Sequence, residues 1–169
     1  MSKNYSSETK MLCMAVLALF ILISCNFSKG VKKDLNTGLT ASYNGAALED
    51  IYPADSSENK LSSNKIKLGD KVMVLAKGVE NFTIEDGKVF PGCHILVTDK
   101  NNKELLNLPD AFANLDKGMA AEDAKNMKGI LYTGEPMAVG ESYHLKVRFF
   151  DKKNTATEIL ANVDITMKE

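Results

Sequence analysis

Tryptophan is absent from the chain, and its 169 residues include only two histidines, three cysteines and four prolines. Without tryptophan there is no large indole face for stacking on a sugar or a base. His94 and His144 are too few to build a metal or catalytic cluster from imidazoles, so no metal site is expected. Cys13, Cys25 and Cys93 show no C-x-x-C spacing, which excludes a zinc ribbon and a disulfide framework. Charge of one sign is also missing: 21 Lys and Arg stand against 22 Asp and Glu. That balance provides no basic field for nucleic acid, and no nucleic-acid partner is expected. No G-x-S-x-G, H-E-x-x-H, P-loop or dinucleotide fingerprint occurs. What remains is 44% apolar and 25% charged, the composition of a globular chain.

The most specific pattern lies in the first residues. Met1–Lys10 is polar and carries Lys3 and Lys10, and Met11–Ile23, MLCMAVLALFILI, is an uncharged apolar run. The run is shorter than the roughly 20 residues that a spanning helix needs, and matches the core of a signal peptide. It ends in Leu22, Ile23, Ser24 and Cys25, a pattern that resembles a bacterial lipobox. In that motif lipid is joined to the cysteine thiol and a signal peptidase cuts before it, where the small Ser24 fits the enzyme. Cleavage between Ser24 and Cys25 frees the Cys25 amine for a further acyl chain. The competing readings are an uncleaved anchor and a soluble secreted precursor. The flanking lysines and the immediate switch to Asn26, Phe27, Ser28 and Lys29 favour the lipoprotein. Cys13 is discarded with the signal segment. The expected organisation is 1–24 signal peptide, 25–34 lipidated cysteine and tether, and 35–169 a single domain. No cofactor is expected beyond covalent diacylglycerol and N-acyl lipid on Cys25, which hold the protein to a membrane as its first partner.

Along the expected mature chain the apolar spacing is that of strands. Leu35–Tyr43 reads as a first strand interrupted by Gly45–Ala47, and Pro53–Lys65, PADSSENKLSSNK, as a solvated loop. Val72–Ala76 is continuously apolar, as in a strand buried on both faces, and Gly78 ends it. Cys93, Ile95 and Val97 alternate with His94, Leu96 and Thr98 before a hairpin turn at Asp99–Asn102, and Leu105, Leu106 and Leu108 return. Tyr143, Leu145, Val147 and Phe149, then Ile159, Ala161, Val163, Ile165 and Met167, form a terminal hairpin. The exception is 109–129, where Pro109 with Asp110, a Gly118 break and AAEDAKNMK closed by Gly129 predict one or two short helices. Such an insertion caps the open end of a sandwich or forms part of a binding site.

Leu68-Gly69-Asp70 and Val139-Gly140-Glu141 each lead into alternating apolar positions. A glycine with positive φ and a solvated acid suit the step from turn to strand. The segment PMAVGESYHLKVRFFDKK resembles bacterial immunoglobulin-like sandwich domains, so the expected fold is mainly β, an antiparallel immunoglobulin-like sandwich with a short helical insertion. With the lipobox, polar tether and KVFPG segment, the whole resembles the small lipoproteins of Bacteroidota, a family without an assigned activity. The acidic run that accompanies surface export in that phylum is missing from NFSKGVKKD. Asn26 rather than Asp follows Cys25, so the inner-membrane retention signal of enteric bacteria is missing as well. The resemblance implies a lipid-anchored protein of the cell envelope, at the outer membrane.

The remaining chemistry-bearing residues have plain structural readings. His94 and His144 fall opposite their apolar neighbours and face away from the core, although neighbouring positions on one sheet would let them share an ion. Asp99, Asn101 and Asn102 superficially resemble a calcium loop, but Lys100 and Lys103 intrude and a hairpin turn fits better. Cys93 reads as a small core hydrophobe whose neighbour His94 points the wrong way to activate it. Glu85/Asp86 and Glu122/Asp123 read as solvated pairs. The expected function is therefore a binding or interaction module without catalysis, whose partner is an envelope protein or a ligand that the sequence does not identify. The alternative is an accessory envelope enzyme or metal-binding module using His94 and His144.

Overall fold

The computed structural model describes residues 28–169. The lipobox residues Leu22, Ile23, Ser24 and Cys25 and the rest of the signal segment lie outside the described residues. The described residues form twelve strands: β1 (Lys29–Lys33), β2 (Thr40–Asn44), β3 (Asp50–Ala54), β4 (Lys65–Lys67), β5 (Lys71–Lys77), β6 (Lys88–Val89), β7 (Pro91–Asp99), β8 (Glu104–Leu108), β9 (Met119–Ala120), β10 (Asn126–Tyr132), β11 (Ser142–Asp151) and β12 (Glu158–Lys168). The larger sheet runs β1-β2-β12-β11-β7-β8, with β4 lying parallel to the end of β12. A second sheet runs β10-β5-β3, and β6 pairs with β9. Every pairing except β12 with β4 is antiparallel. The protein is mainly β, as its apolar spacing predicts.

Period-two alternation sets the faces of the large sheet. In β11 Tyr143, Leu145, Val147 and Phe149 are buried while His144 and Lys146 between them are exposed, and β12 repeats the pattern from Ile159 to Met167. These rows meet Ile51, Val72, Val74, Ala76, Met127 and Leu131 of the smaller sheet in one hydrophobic core. At Gly129 of β10 the two sheets pack closely, since an added Cβ would lie 2.5 Å from Val147 Cγ1. Both Gly-acid steps behave as their sequence suggests. Gly69 and Gly140 have φ of 95° and 86°, and Asp70 and Glu141 are exposed.

Three stretches differ from the sequence expectation. The segment expected to be tether contains β1, whose Lys29–Lys33 pair along β2, so the folded region begins before residue 35. Alternating lysine with glycine and valine hides an edge strand, because its charged side chains stay in solvent. Leu35 is not in a strand but exposed in the turn where Gly38 N–H donates to the Asp34 carbonyl.

The loop expected from Pro53 is shorter. Pro53 lies inside β3, an edge strand of the small sheet, where a missing N–H is tolerated. The loop after it folds back as a strap: Leu61 N–H donates to the Pro53 carbonyl, and Lys128 of β10 pairs with Glu58. Tyr52, Ala54, Met73 and Leu75 form a second buried cluster on the outer face of this sheet. The ammonium groups of Lys60 and Lys77 stand 5.1 and 5.3 Å from the Tyr52 ring centre, within cation–π range.

The helical insertion expected at 109–129 is the third correction. Its helical content among the described residues is two three-residue 3-10 turns, Ala113–Leu115 and Asp123–Lys125. Asn126–Lys128 belongs to β10, and Gly129 is a mid-strand packing glycine rather than a helix cap. The pattern of small and charged residues in AAEDAKNMK suits a helix locally. Pairing with β5 over seven residues, Asn126 to Tyr132 against Lys77 to Lys71, overrides that preference.

Candidate functional site

The two histidines do not converge. In the β7–β11 ladder His144 stands opposite Thr98 and His94 opposite Arg148. Four residues along a strand separate the two positions by roughly 13 Å, too far to share one ion. His94 Nε2 lies 2.9 Å from Asn107 Oδ1, and His144 Nδ1 lies 2.5 Å from Asp164 Oδ1. Among the described residues no three His, Cys, Asp or Glu side chains gather as a metal site. The outer face of the large sheet is nevertheless concave over Thr98, Glu104, His144, Lys146, Asn162 and Asp164, a cavity of about 460 Å³ with a mostly polar lining.

Asp99 uses its carboxylate inside the hairpin rather than for an ion. Its Oδ1 accepts Asn101 N–H at 2.7 Å and Lys103 N–H at 2.9 Å, and Asn102 takes a φ of 61°. The backbone hydrogen bond from Lys103, helped by that from Asn101 and the lysine charges, outweighs desolvation and holds Asp99 below the usual carboxylate range.

Cys93 is fully buried, and burial first, then the negative Asp110, push its thiol up to about 12. A thiol in that state is not a nucleophile at neutral pH. The neighbouring carboxylate has a different task. Asp110 Oδ1 accepts the N–H groups of Cys93 at 3.0 Å and Phe112 at 2.8 Å, and Oδ2 meets Lys152 Nζ at 2.7 Å. Lys152 Nζ also binds Asp116 Oδ1 at 2.6 Å and the Phe112 carbonyl at 3.1 Å. Desolvation opposes both charges, but the hydrogen bonds win: Asp110 titrates below its ordinary value and Lys152 above. The Asp110–Lys152–Asp116 clamp fastens the start of the insertion to β7 and to the β11–β12 turn. Asp110 was legible only as a helix start, because the partner lysine lies far away in sequence.

A fully buried carboxylate, Asp151, organises the end of the molecule where the described chain begins. Asp151 Oδ2 accepts Thr83 N–H at 2.7 Å and Oδ1 accepts Lys153 N–H at 2.8 Å. Lys153 in turn pairs with Glu85 at 2.7 Å. Ser28 belongs to the same end, since its carbonyl accepts Gly45 N–H at 2.7 Å while Asn44 Nδ2 donates to the Ala156 carbonyl at 2.7 Å. Ala47 and Glu80 exchange backbone hydrogen bonds, bringing the 79–88 loop alongside. An apolar cleft of about 240 Å³ opens here, lined by Val79, Phe82, Ile84, Val89, Ala121 and Ala124. Its rim is charged but paired, with Lys125 between Glu122 at 2.9 Å and Glu80 at 3.6 Å. The Glu122 hydrogen bond is the main cause of the raised Lys125 pKa. Glu85, Asp86, Glu122 and Asp123 are all exposed, as read from the sequence, and Glu85 and Glu122 also have ion-pair partners.

The described residues thus present a polar concavity on one sheet, an apolar cleft at one end, and carboxylates that hold loops. No family model matches this chain, and no curated protein matches it.

Proposed function

We propose that this chain is the precursor of a bacterial lipoprotein, cut before Cys25, acylated on Cys25 and anchored in the cell envelope at the outer membrane. The domain that follows is an immunoglobulin-like β-sandwich acting as a binding or interaction module. The observation that carries this reading is the apolar Met11–Ile23 run ending in Leu22-Ile23-Ser24-Cys25. Two facing antiparallel sheets with a shared core support the sandwich assignment.

The alternative, a metal-dependent module or accessory enzyme, asks His94 and His144 to act together. Their separation along adjacent strands and their separate partners, Asn107 and Asp164, weigh against it. Mass measurement of the mature protein from the native host tests the proposal. It predicts a chain beginning at Cys25 and carrying the added mass of diacylglycerol and an N-acyl chain. An unmodified chain, or one retaining residues before Cys25, would contradict it.

A further inference from the structure

We infer that the end of the domain carrying Ser28 and Ile84 rests on the lipid bilayer, with Ile84 as its principal contact; this rests on the proposed acylation of Cys25. Covalent geometry leaves little slack. Cys25 and Ser28 are three residues apart, so even a fully extended chain spans about 11 Å between them. Ser28 is already hydrogen-bonded into the fold through Gly45. A domain tethered this closely cannot stand off from its membrane, and the end beside Ser28 must meet the headgroup layer.

That end is chemically suited to the contact. Ile84 is a large aliphatic side chain with 64% of its surface exposed, at the lip of the apolar cleft. Three of the neighbouring acids have cationic partners, Glu85 in Lys153 and both Glu80 and Glu122 in the shared Lys125. Exposed Lys29 adds a free cation at the first strand. A carboxylate that is already ion-paired loses less on approaching lipid than a bare one. The opposite end carries Val139, 48% exposed, beside Gly140, whose N–H donates to Met167 at the far end of β12. The run of β12 from Glu158 to Met167 places Val139 roughly 30 Å away.

Single-cysteine labels distinguish the two ends. Ile84→Cys, Val139→Cys and Leu35→Cys variants of the full chain are produced in the native host, so that they are processed as the protein is. They are labelled with a fluorescent maleimide and reconstituted into vesicles containing nitroxide-labelled phosphatidylcholine. Native Cys93 does not compete, being fully buried. The label at 84 should be quenched several-fold more strongly than that at 139. Equal quenching at 84 and 139, or stronger quenching at 139, overturns the inference. Stronger quenching at 35 than at 84 also overturns it, because the β1 side would then lie on the bilayer. Lipid attachment is measured by mass on the same preparations. Acylated protein with the wrong quenching pattern defeats the orientation alone, whereas unacylated protein defeats the anchor and the orientation together.

Discussion

Asp110 shows how much one side chain can organise when it is ionised and partly buried. It caps two backbone N–H groups and pairs with Lys152, so Asp110→Ala should cost roughly 2–3 kcal/mol of stability, measured by denaturant unfolding. The pH dependence follows from the direction of its shift. A carboxyl whose folded pKa is depressed stabilises the fold above the ordinary value of about 3.9, and that contribution is lost as pH falls through the lower folded value. The difference in melting temperature between wild type and Asp110→Asn should therefore be present at neutral pH and shrink in strong acid. A gap that persisted unchanged in acid would show that charge is not what Asp110 contributes. Cys93 gives a complementary test, since a thiol raised to about 12 should resist maleimide at pH 8 until the protein unfolds. Single residues of this kind were poorly legible in sequence. Burial of Cys93 followed from alternation with Ile95 and Val97, but the importance of Asp110 and Asp151 depends on partners brought close only by folding.

At the scale of elements, legibility tracks the regularity of the pattern. The β11–β12 hairpin and β7 could be read directly because polar and apolar residues alternate cleanly, and β5 because it is apolar on both faces. β1 was hidden by its lysines, and β3 by a proline that an edge position tolerates. β10 was misread because Gly129 resembles a helix terminator, whereas its lack of a side chain serves the approach of the two sheets. Gly129→Ala should therefore destabilise by about 1–3 kcal/mol through overpacking against Val147. Combining it with Val147→Ala should recover part of that loss, as expected for neighbours sharing space. Simple additivity of the two costs would mean that the strain lies elsewhere.

For the whole molecule, the described residues form a mainly β domain whose first strand begins at Lys29, four residues after Cys25, so the proposed lipid anchor would hold the domain close to its membrane. The proposed anchor rests on the sequence alone, because a lipobox is a local pattern recognised before folding. The proposed orientation could not be read there, because it depends on where β1 begins and what gathers beside Ser28. The claim on which the rest depends is the lipid on Cys25. Growth of cells with an alkyne fatty acid, followed by click detection and membrane fractionation of wild type and Cys25→Ala, tests it directly. Wild type should carry the label and sediment with membranes, and Cys25→Ala should lose both. Label and membrane association that survive in Cys25→Ala, or a wild type that never takes up the label, would contradict it.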